Sequence, residues 1–409
     1  MTINYKGFWT MLALMFGFTI FSASVMSGAQ IGNDIKVWQG ALAIIIGNFL
    51  LAAYGALLAW ISKRQNKNLD ETLKKSFGKK GAIIPSMIMV ITQVGWFGVG
   101  IAMIAKPISA ELGISPWYIV FIATALIIST AFFGIKSLTI ISMIAVPLVI
   151  LLGFISMGTN VHIGHYHEPA EKHSMTNIIQ AIAVVIGTFI SGATFVPNFA
   201  KEAKNSKIAW QTTALAFFVG NGIMITFGFV SQIYSETKIF DFISITKAHG
   251  GMGLVVIGYI ILILNIWTTN DSGMFSISLA FEHWFKLPKK LGVVIFGLIG
   301  AGASLWLFDN FIEFLNYMNR FVPAIGAIII LNYFLVDEEK ISQKLKPALP
   351  IAAIAILALS TGITFIPAVT PYAPFVSFSI AIVAYSILVL IIKKIGGKSE
   401  DTLQTSEVK

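Results

Sequence analysis

The chain contains no cysteine, so disulfides and thiolate metal sites are excluded, and cysteine usage says nothing about the redox compartment. Charge is scarce: 11% of the 409 residues are Asp, Glu, Lys or Arg while 56% are apolar, a balance outside the range of soluble domains. A Gly-x-x-x-x-Gly-Lys-Ser/Thr loop is missing, so nothing is in place to hold ATP phosphates; any pumping has to draw on an ion gradient or a partner ATPase. The apolar runs carry no Gly-x-Ser-x-Gly, no His-Glu-x-x-His and no paired aspartates, which removes the usual grounds for an intramembrane enzyme. No long hydrophilic insertion separates the runs, so residues 1–409 read as a single membrane domain.

What fills the chain is hydrophobic sequence in lengths that cross a bilayer core of about 30 Å as helices. Twelve such spans are expected, at 8–31, 38–62, 82–105, 116–135, 137–158, 177–200, 208–234, 252–280, 291–308, 310–336, 347–366 and 372–393. The first follows a single Lys6 and lacks a cleavage site, so it reads as an uncleaved helix. The net charge of +9 raises the possibility of a nucleic-acid partner, but most of the 28 Lys and Arg fall on alternate loops, with Lys63, Arg64, Lys67, Lys74, Lys75, Lys79 and Lys80 between spans two and three. This positive-inside pattern puts both termini in the cytoplasm and makes the basicity a report of topology, with no nucleic-acid partner. The polar residues after Lys394 are expected to form a disordered cytoplasmic tail (395–409).

Polar side chains inside apolar spans cost several kcal/mol unless partnered, so they usually line a cavity, a ligand site or an ion path. Span three holds Thr92-Gln93-Val94-Gly95-Trp96, in which Gln93 and Trp96 share a helix face; an indole beside an amide suits a flat, neutral, hydrogen-bonding ring. Span eight holds Asn265, Thr268 and Thr269 at i, i+3 and i+4, offering only neutral oxygens toward one point, as a small hard cation requires. Span one carries Phe21-Ser22-Ala23-Ser24 and Ser27-Gly28-Ala29; span six carries Gly187-Thr188-Phe189-Ile190-Ser191-Gly192-Ala193-Thr194 and Pro197. Small and helix-breaking residues five spans apart point to discontinuous helices and to a five-plus-five inverted repeat, although tight packing through small residues gives the same composition. These features together suggest a transporter.

The chain resembles bacterial cytosine permeases of the nucleobase:cation symporter family 1. The resemblance rests on Thr92 to Met103, Phe132-Phe133-Gly134-Ile135 with Ala145-Val146-Pro147, Thr188-Phe189-Ile190-Ser191, Asn265 to Asp271 and Pro323 to Tyr333, and it fades over the last two spans. It implies an all-α leucine-transporter-type fold, with repeat one at 8–158, repeat two at 177–336 and two extra helices at 347–393. It implies alternating access, import of cytosine or a related nucleobase by sodium symport, no organic cofactor, a plasma-membrane location and function as a monomer. By position it makes Trp96 and Phe189 the two faces of a sandwich around the base. Gln93 then bonds the base edge, and backbone amides near Ser191, Gly192 and Ala193 at a break in span six serve the remaining acceptors, with Thr188 close by. Carbonyls of Phe21 and Ser24 would join Asn265, Thr268 and Thr269 around sodium.

Three features leave alternatives open. Thr188 to Ala193 departs from the Ser-Phe-Ile-Ser-Ala-Gly of the cytosine type, which admits a hydroxymethylpyrimidine vitamin precursor, a purine or a hydantoin. Arg320 is expected either to pair with Glu313 or Asp309 toward the outer vestibule or to act as a gate or substrate contact. Asp271 is expected either to relay protons in a proton-coupled symporter or to face water in the inward cavity. His162, His165, His167, Glu168 and His173 lack a zinc spacing and read as a solvated loop.

Overall fold

The computed structural model describes residues 5–131, 135–167, 177–235, 252–336 and 345–406, all helix, turn and loop apart from one isolated bridge between Lys6 and Ala203. The block Phe132-Phe133-Gly134, together with Glu168 and His173, lies outside the described residues.

Each of the twelve expected segments coincides with a helix or a helix set. Nine described helices are long and apolar enough to cross a membrane, and the bent pair Phe8–Thr19 and Ala23–Asp34 makes a tenth crossing. Those nine are Val37–Gln65, Ile83–Leu112, Met143–His162, Ile178–Ala200, Ser206–Ile233, Val255–Phe285, Lys289–Asp309, Phe311–Leu335 and Thr370–Ile395. Two shorter apolar helices, Pro116–Ala131 and Ala348–Ile363, occupy the places of spans four and eleven. An amphipathic helix, Leu69–Gly81, joins spans two and three. Its start is fixed by a reciprocal cap in which Asn68 accepts from the Glu71 N–H and Glu71 accepts from the Asn68 N–H.

The spans pack in pairs that exchange under a shift of five. The second half of span one lies on span seven as span six lies on span two; span three lies on span nine as span eight lies on span four; span five meets span eight as span ten meets span three. That correspondence is the signature of a five-plus-five repeat. Spans eleven and twelve pack on each other and on span ten.

Span one breaks where expected. Its halves meet at 57° across Ile20, Phe21 and Ser22. The motif Ser27-Gly28-Ala29, however, lies inside a continuous half-helix and serves packing: a Cβ on Gly28 would stand 1.9 Å from the Ile225 carbonyl oxygen, and one on Gly228 would stand 2.0 Å from that of Val25. Backbone meets backbone here, as small residues allow between membrane helices.

Span six does not break at Ser191-Gly192-Ala193. The helix runs unbroken from Ile178 to Phe195 and is interrupted only at Val196, ahead of Pro197, which has no N–H to extend the ladder. Gly187 and Gly192 are small because neighbours press on them: added Cβ atoms would meet Asn319 at 2.7 Å and Phe189 at 2.5 Å. The last helix also differs from expectation, continuing to Ser406 through the segment read as a disordered tail.

Candidate functional site

Breaking a helix inside a membrane frees backbone groups that must be satisfied within the protein. At the break in span one, one side chain satisfies groups on both sides. The Asn265 Oδ1 accepts the Ser22 N–H at 2.9 Å and the Ser22 hydroxyl at 2.7 Å, while its Nδ2 donates to the Ile20 carbonyl. The amide of span eight thus caps both half-helices at once.

That arrangement changes which oxygens are on offer. The side-chain oxygen of Asn265 is already occupied by Ser22, whereas its main-chain carbonyl faces the Thr268 hydroxyl at 2.8 Å and the Thr269 hydroxyl at 3.3 Å. Thr269 also reaches the Gly17 carbonyl at 3.4 Å. The span-one carbonyls that meet span eight are therefore those of Gly17 and Ile20, one turn earlier than the Phe21 and Ser24 carbonyls expected from the sequence. The Phe21 carbonyl accepts from the Ser24 N–H at 3.0 Å, and the Ser24 hydroxyl turns toward span seven, where it donates to Asn221 at 2.7 Å. Asn221 in turn donates to Asn48 at 2.8 Å. It closes a π-helical turn, Ala216–Asn221, whose wider winding carries an extra residue in span seven.

Beside the break lies a small enclosed cavity bordered by Phe18, Phe21, Gln93, Trp96, Phe189 and Asn270, with a volume of about 20 Å³. Trp96 and Phe189 stand nearly parallel across it, 18° apart in plane with centroids 6.4 Å apart. Trp96 is 8% exposed, so its indole faces the protein interior; its N–H donates to the Ser191 hydroxyl at 2.9 Å. Gln93 borders the cavity with no hydrogen-bond partner among the described residues. No charged side chain among the described residues borders it. The volume admits about one water, so a ring can enter only if the two aromatic planes separate.

Other residues expected at the site fall elsewhere. The Thr188 hydroxyl donates to Ser27 at 2.7 Å, tying span six to span one outside the cavity. Ala193 faces Gly55 of span two, and the backbone amides of Ser191, Gly192 and Ala193 belong to an unbroken helix, which leaves them committed to its ladder. Of the three, Gly192 borders the cavity and Ser191 reaches it through Trp96. Residues the sequence reading passed over are Phe18, Phe97, Asn270 and Gly273. Gly273 stands four after Thr269 and was findable by helical spacing; Asn270 directs its amide to the Phe97 carbonyl at 3.3 Å.

Asp271 is 1% exposed. Its carboxylate oxygens lie 3.0 and 3.2 Å from the Thr130 hydroxyl of span four, which also accepts the Trp267 N–H at 2.6 Å. Arg320 pairs with neither Glu313 nor Asp309. Its guanidinium reaches the Thr370 hydroxyl at 3.3 Å and lies over the rings of Phe365 and Tyr317 at 4.4 and 5.5 Å, while Asp309 bonds Lys106. No group of three His, Asp or Glu able to hold a metal occurs among the described residues.

The two ends of the molecule differ. Toward Lys106 and Asp309 a cavity of about 530 Å³ extends between spans one, three and ten. Phe311 lines it and also sets its ring edge-on to Trp96 with centroids 6.0 Å apart, so this side chain touches both the vestibule and the ring beside the smaller cavity. At the opposite end, beside a second cavity of about 510 Å³ bordered by Asn68, Glu282, His283 and Lys286, bonds tie the helices together. Lys6 pairs with Glu202 at 2.8 Å, Ser62 donates to the Pro197 carbonyl at 3.1 Å, the Leu69 N–H donates to Asn198 at 3.0 Å, and the Trp284 N–H donates to Asp70 at 2.9 Å.

Comparison with known proteins agrees with this architecture. The cytosine permease of Escherichia coli (strain K12) is 32% identical over 375 residues, covering 90% of this chain and 88% of the relative. A closed structure of Mhp1, a nucleobase-cation-symport-1 family transporter with bromovinylhydantoin bound, superposes with a TM-score of 0.78 at 20% identity, over 97% of this chain and 94% of that one. A substrate-bound outward-open state of a Na⁺-coupled sialic acid symporter gives 0.72 at 12% identity, over 95% and 90%. Residues 4–346 match the family model described as permease for cytosine/purines, uracil, thiamine, allantoin, and the chain belongs to that family of membrane transporters.

Proposed function

We propose that this protein imports a neutral planar heterocycle, cytosine or a close pyrimidine or purine relative, across the plasma membrane by sodium symport with alternating access. The observation that carries the reading is the pair of near-parallel rings of Trp96 and Phe189 flanking a cavity without charge, with the unpartnered amide of Gln93 at its edge. Stacking supplies affinity that any aromatic ring can use, and an amide supplies one donor and one acceptor, so orientation follows from the ligand's polar edge. Entry is from the side of Lys106 and Asp309. Parting of Trp96 and Phe189 admits the base, and release requires the bonds from Lys6, Ser62, Asn198 and Trp284 to open.

Sodium sits between the carbonyls of Gly17, Ile20 and Asn265 and the hydroxyls of Thr268 and Thr269. This set replaces the Phe21 and Ser24 carbonyls and the Asn265 side chain. Support comes from the convergence of these oxygens at the break in span one and from the fold shared with a Na⁺-coupled symporter. An ion bound there draws span one and span eight together, and the half-helix ends so fixed border the base cavity; this couples the two ligands. One cation entering down 100 mV releases about 2.3 kcal/mol, enough for roughly fiftyfold accumulation before any chemical gradient. The protein works as a monomer with both termini in the cytoplasm.

The test is uptake of labelled cytosine into right-side-out vesicles with sodium replaced by choline at fixed pH, followed by counterflow. Sodium-dependent uptake, accelerated by unlabelled base inside, is expected. Uptake driven by a pH gradient in choline would move the coupling to protons and to Asp271. A hydantoin or vitamin precursor that outcompetes every nucleobase would retain the site and change the substrate.

A further inference from the structure

Arg320 is a guanidinium within a span that has no carboxylate partner among the described residues: Asp309 is taken by Lys106, and the one polar contact of the guanidinium is the Thr370 hydroxyl at 3.3 Å. Its Nε is buried without a hydrogen bond. Charges at such depth are costly, and those that persist find a counter-charge or water.

Further along the same span runs an apolar groove of about 270 Å³ between spans two, six, ten and twelve, bordered by Leu57, Ile190, Pro323, Ile330, Pro374 and Phe378. Arg320, Pro323 and Ile330 are three and seven residues apart, hence on one stripe of span ten. The Ser377 hydroxyl donates to the Arg320 carbonyl at 2.9 Å, which sets Arg320 level with the first turn of span twelve, the same turn that forms the groove wall. The groove therefore begins about one helical turn from the Arg320 backbone, and its wall carries the exposed Leu50 and Leu57.

We propose that this groove and Arg320 form a binding site for an anionic glycerophospholipid, with one acyl chain lying in the groove and the phosphate placed on the guanidinium and the Thr370 hydroxyl. Charge complementarity selects this occupant: a guanidinium with no carboxylate partner among the described residues takes an anion, and an anionic lipid supplies a phosphate together with a chain for the apolar groove. The groove floor is Tyr54, whose hydroxyl bonds Thr194 of span six at 2.6 Å, two residues beyond Gly192 of the base cavity. A seated chain thus wedges the added spans against the helix that carries Phe189.

The experiment is native mass spectrometry of the full chain released from mixed micelles of phosphatidylglycerol and phosphatidylcholine, with thermal unfolding as a parallel readout. Retention of phosphatidylglycerol over phosphatidylcholine is expected. Arg320→Gln is expected to reduce that preference about fivefold, the scale of one basic side chain near an anionic headgroup. Arg320→Lys is expected to keep most of the preference, and Leu57→Trp, which fills the groove while leaving the charge, is expected to abolish retention of both lipids. Soluble glycerol phosphate is expected to give no thermal shift. Equal retention by the parent chain and a Leu57→Trp variant that elutes as a folded species would overturn the site, as would a groove found closed by a second copy in light scattering. The base cavity is untouched by these variants, so cytosine binding separates failure here from failure of the transport reading.

Discussion

The side-chain oxygen of Asn265 accepts both the N–H and the hydroxyl of Ser22, 2.9 and 2.7 Å away, so a residue of span eight closes the break in span one. Leucine at 265 has the same number and branching of side-chain heavy atoms and none of these bonds. Asn265→Leu is expected to orphan two buried backbone groups at about 1–3 kcal/mol each, lowering the unfolding temperature in detergent as well as abolishing uptake.

Thr269→Ala removes a hydroxyl that faces both the Gly17 and the Asn265 carbonyls. A hydrogen-bonding or liganding contact to a charged group is worth about 1.5–3 kcal/mol, so the sodium concentration for half-maximal uptake is expected to rise about tenfold or more. Unfolding temperature without sodium is expected to stay close to that of the parent. An unchanged sodium requirement would remove this threonine from the ion site.

Trp96→Ala is expected to weaken base binding by about 1–3 kcal/mol, the range for aromatic side chains that stack on bases. Trp96→Phe keeps a stacking face and loses the bond to Ser191, so it is expected to fall between the two. Isothermal titration of cytosine in saturating sodium measures both; equal affinity in all three proteins would disprove the sandwich.

Gly228→Ala places a methyl group 2.0 Å from the Val25 carbonyl oxygen, and backbone cannot yield as a side-chain tip can. Loss of folded protein on fluorescence-detected size exclusion is expected. Gly302→Ala, where an added Cβ meets nothing within 4 Å, serves as the control and is expected to behave as the parent.

Phe311→Ala removes a ring that packs between the vestibule and Trp96. Association of base from the side of Lys106 is expected to quicken while occlusion fails, so binding persists as net transport falls. Stopped-flow binding against vesicle uptake checks the split.

The sequence alone determined the membrane class, the twelve segments and the repeat, because hydropathy and charge are sums over many residues and survive local error. It also brought out Gln93, Trp96, Asn265, Thr268 and Thr269, since a polar group in hydrocarbon is conspicuous wherever it occurs. Only the tertiary structure decided which carbonyls of span one meet span eight, that Ser191 to Ala193 remain helical, and that Arg320 turns to Thr370 and Phe365 instead of Glu313. Those are questions of register and packing. A glycine that relieves a clash with Asn319 and a glycine that breaks a helix are the same letter, and the neighbours that distinguish them lie more than a hundred residues away in the chain.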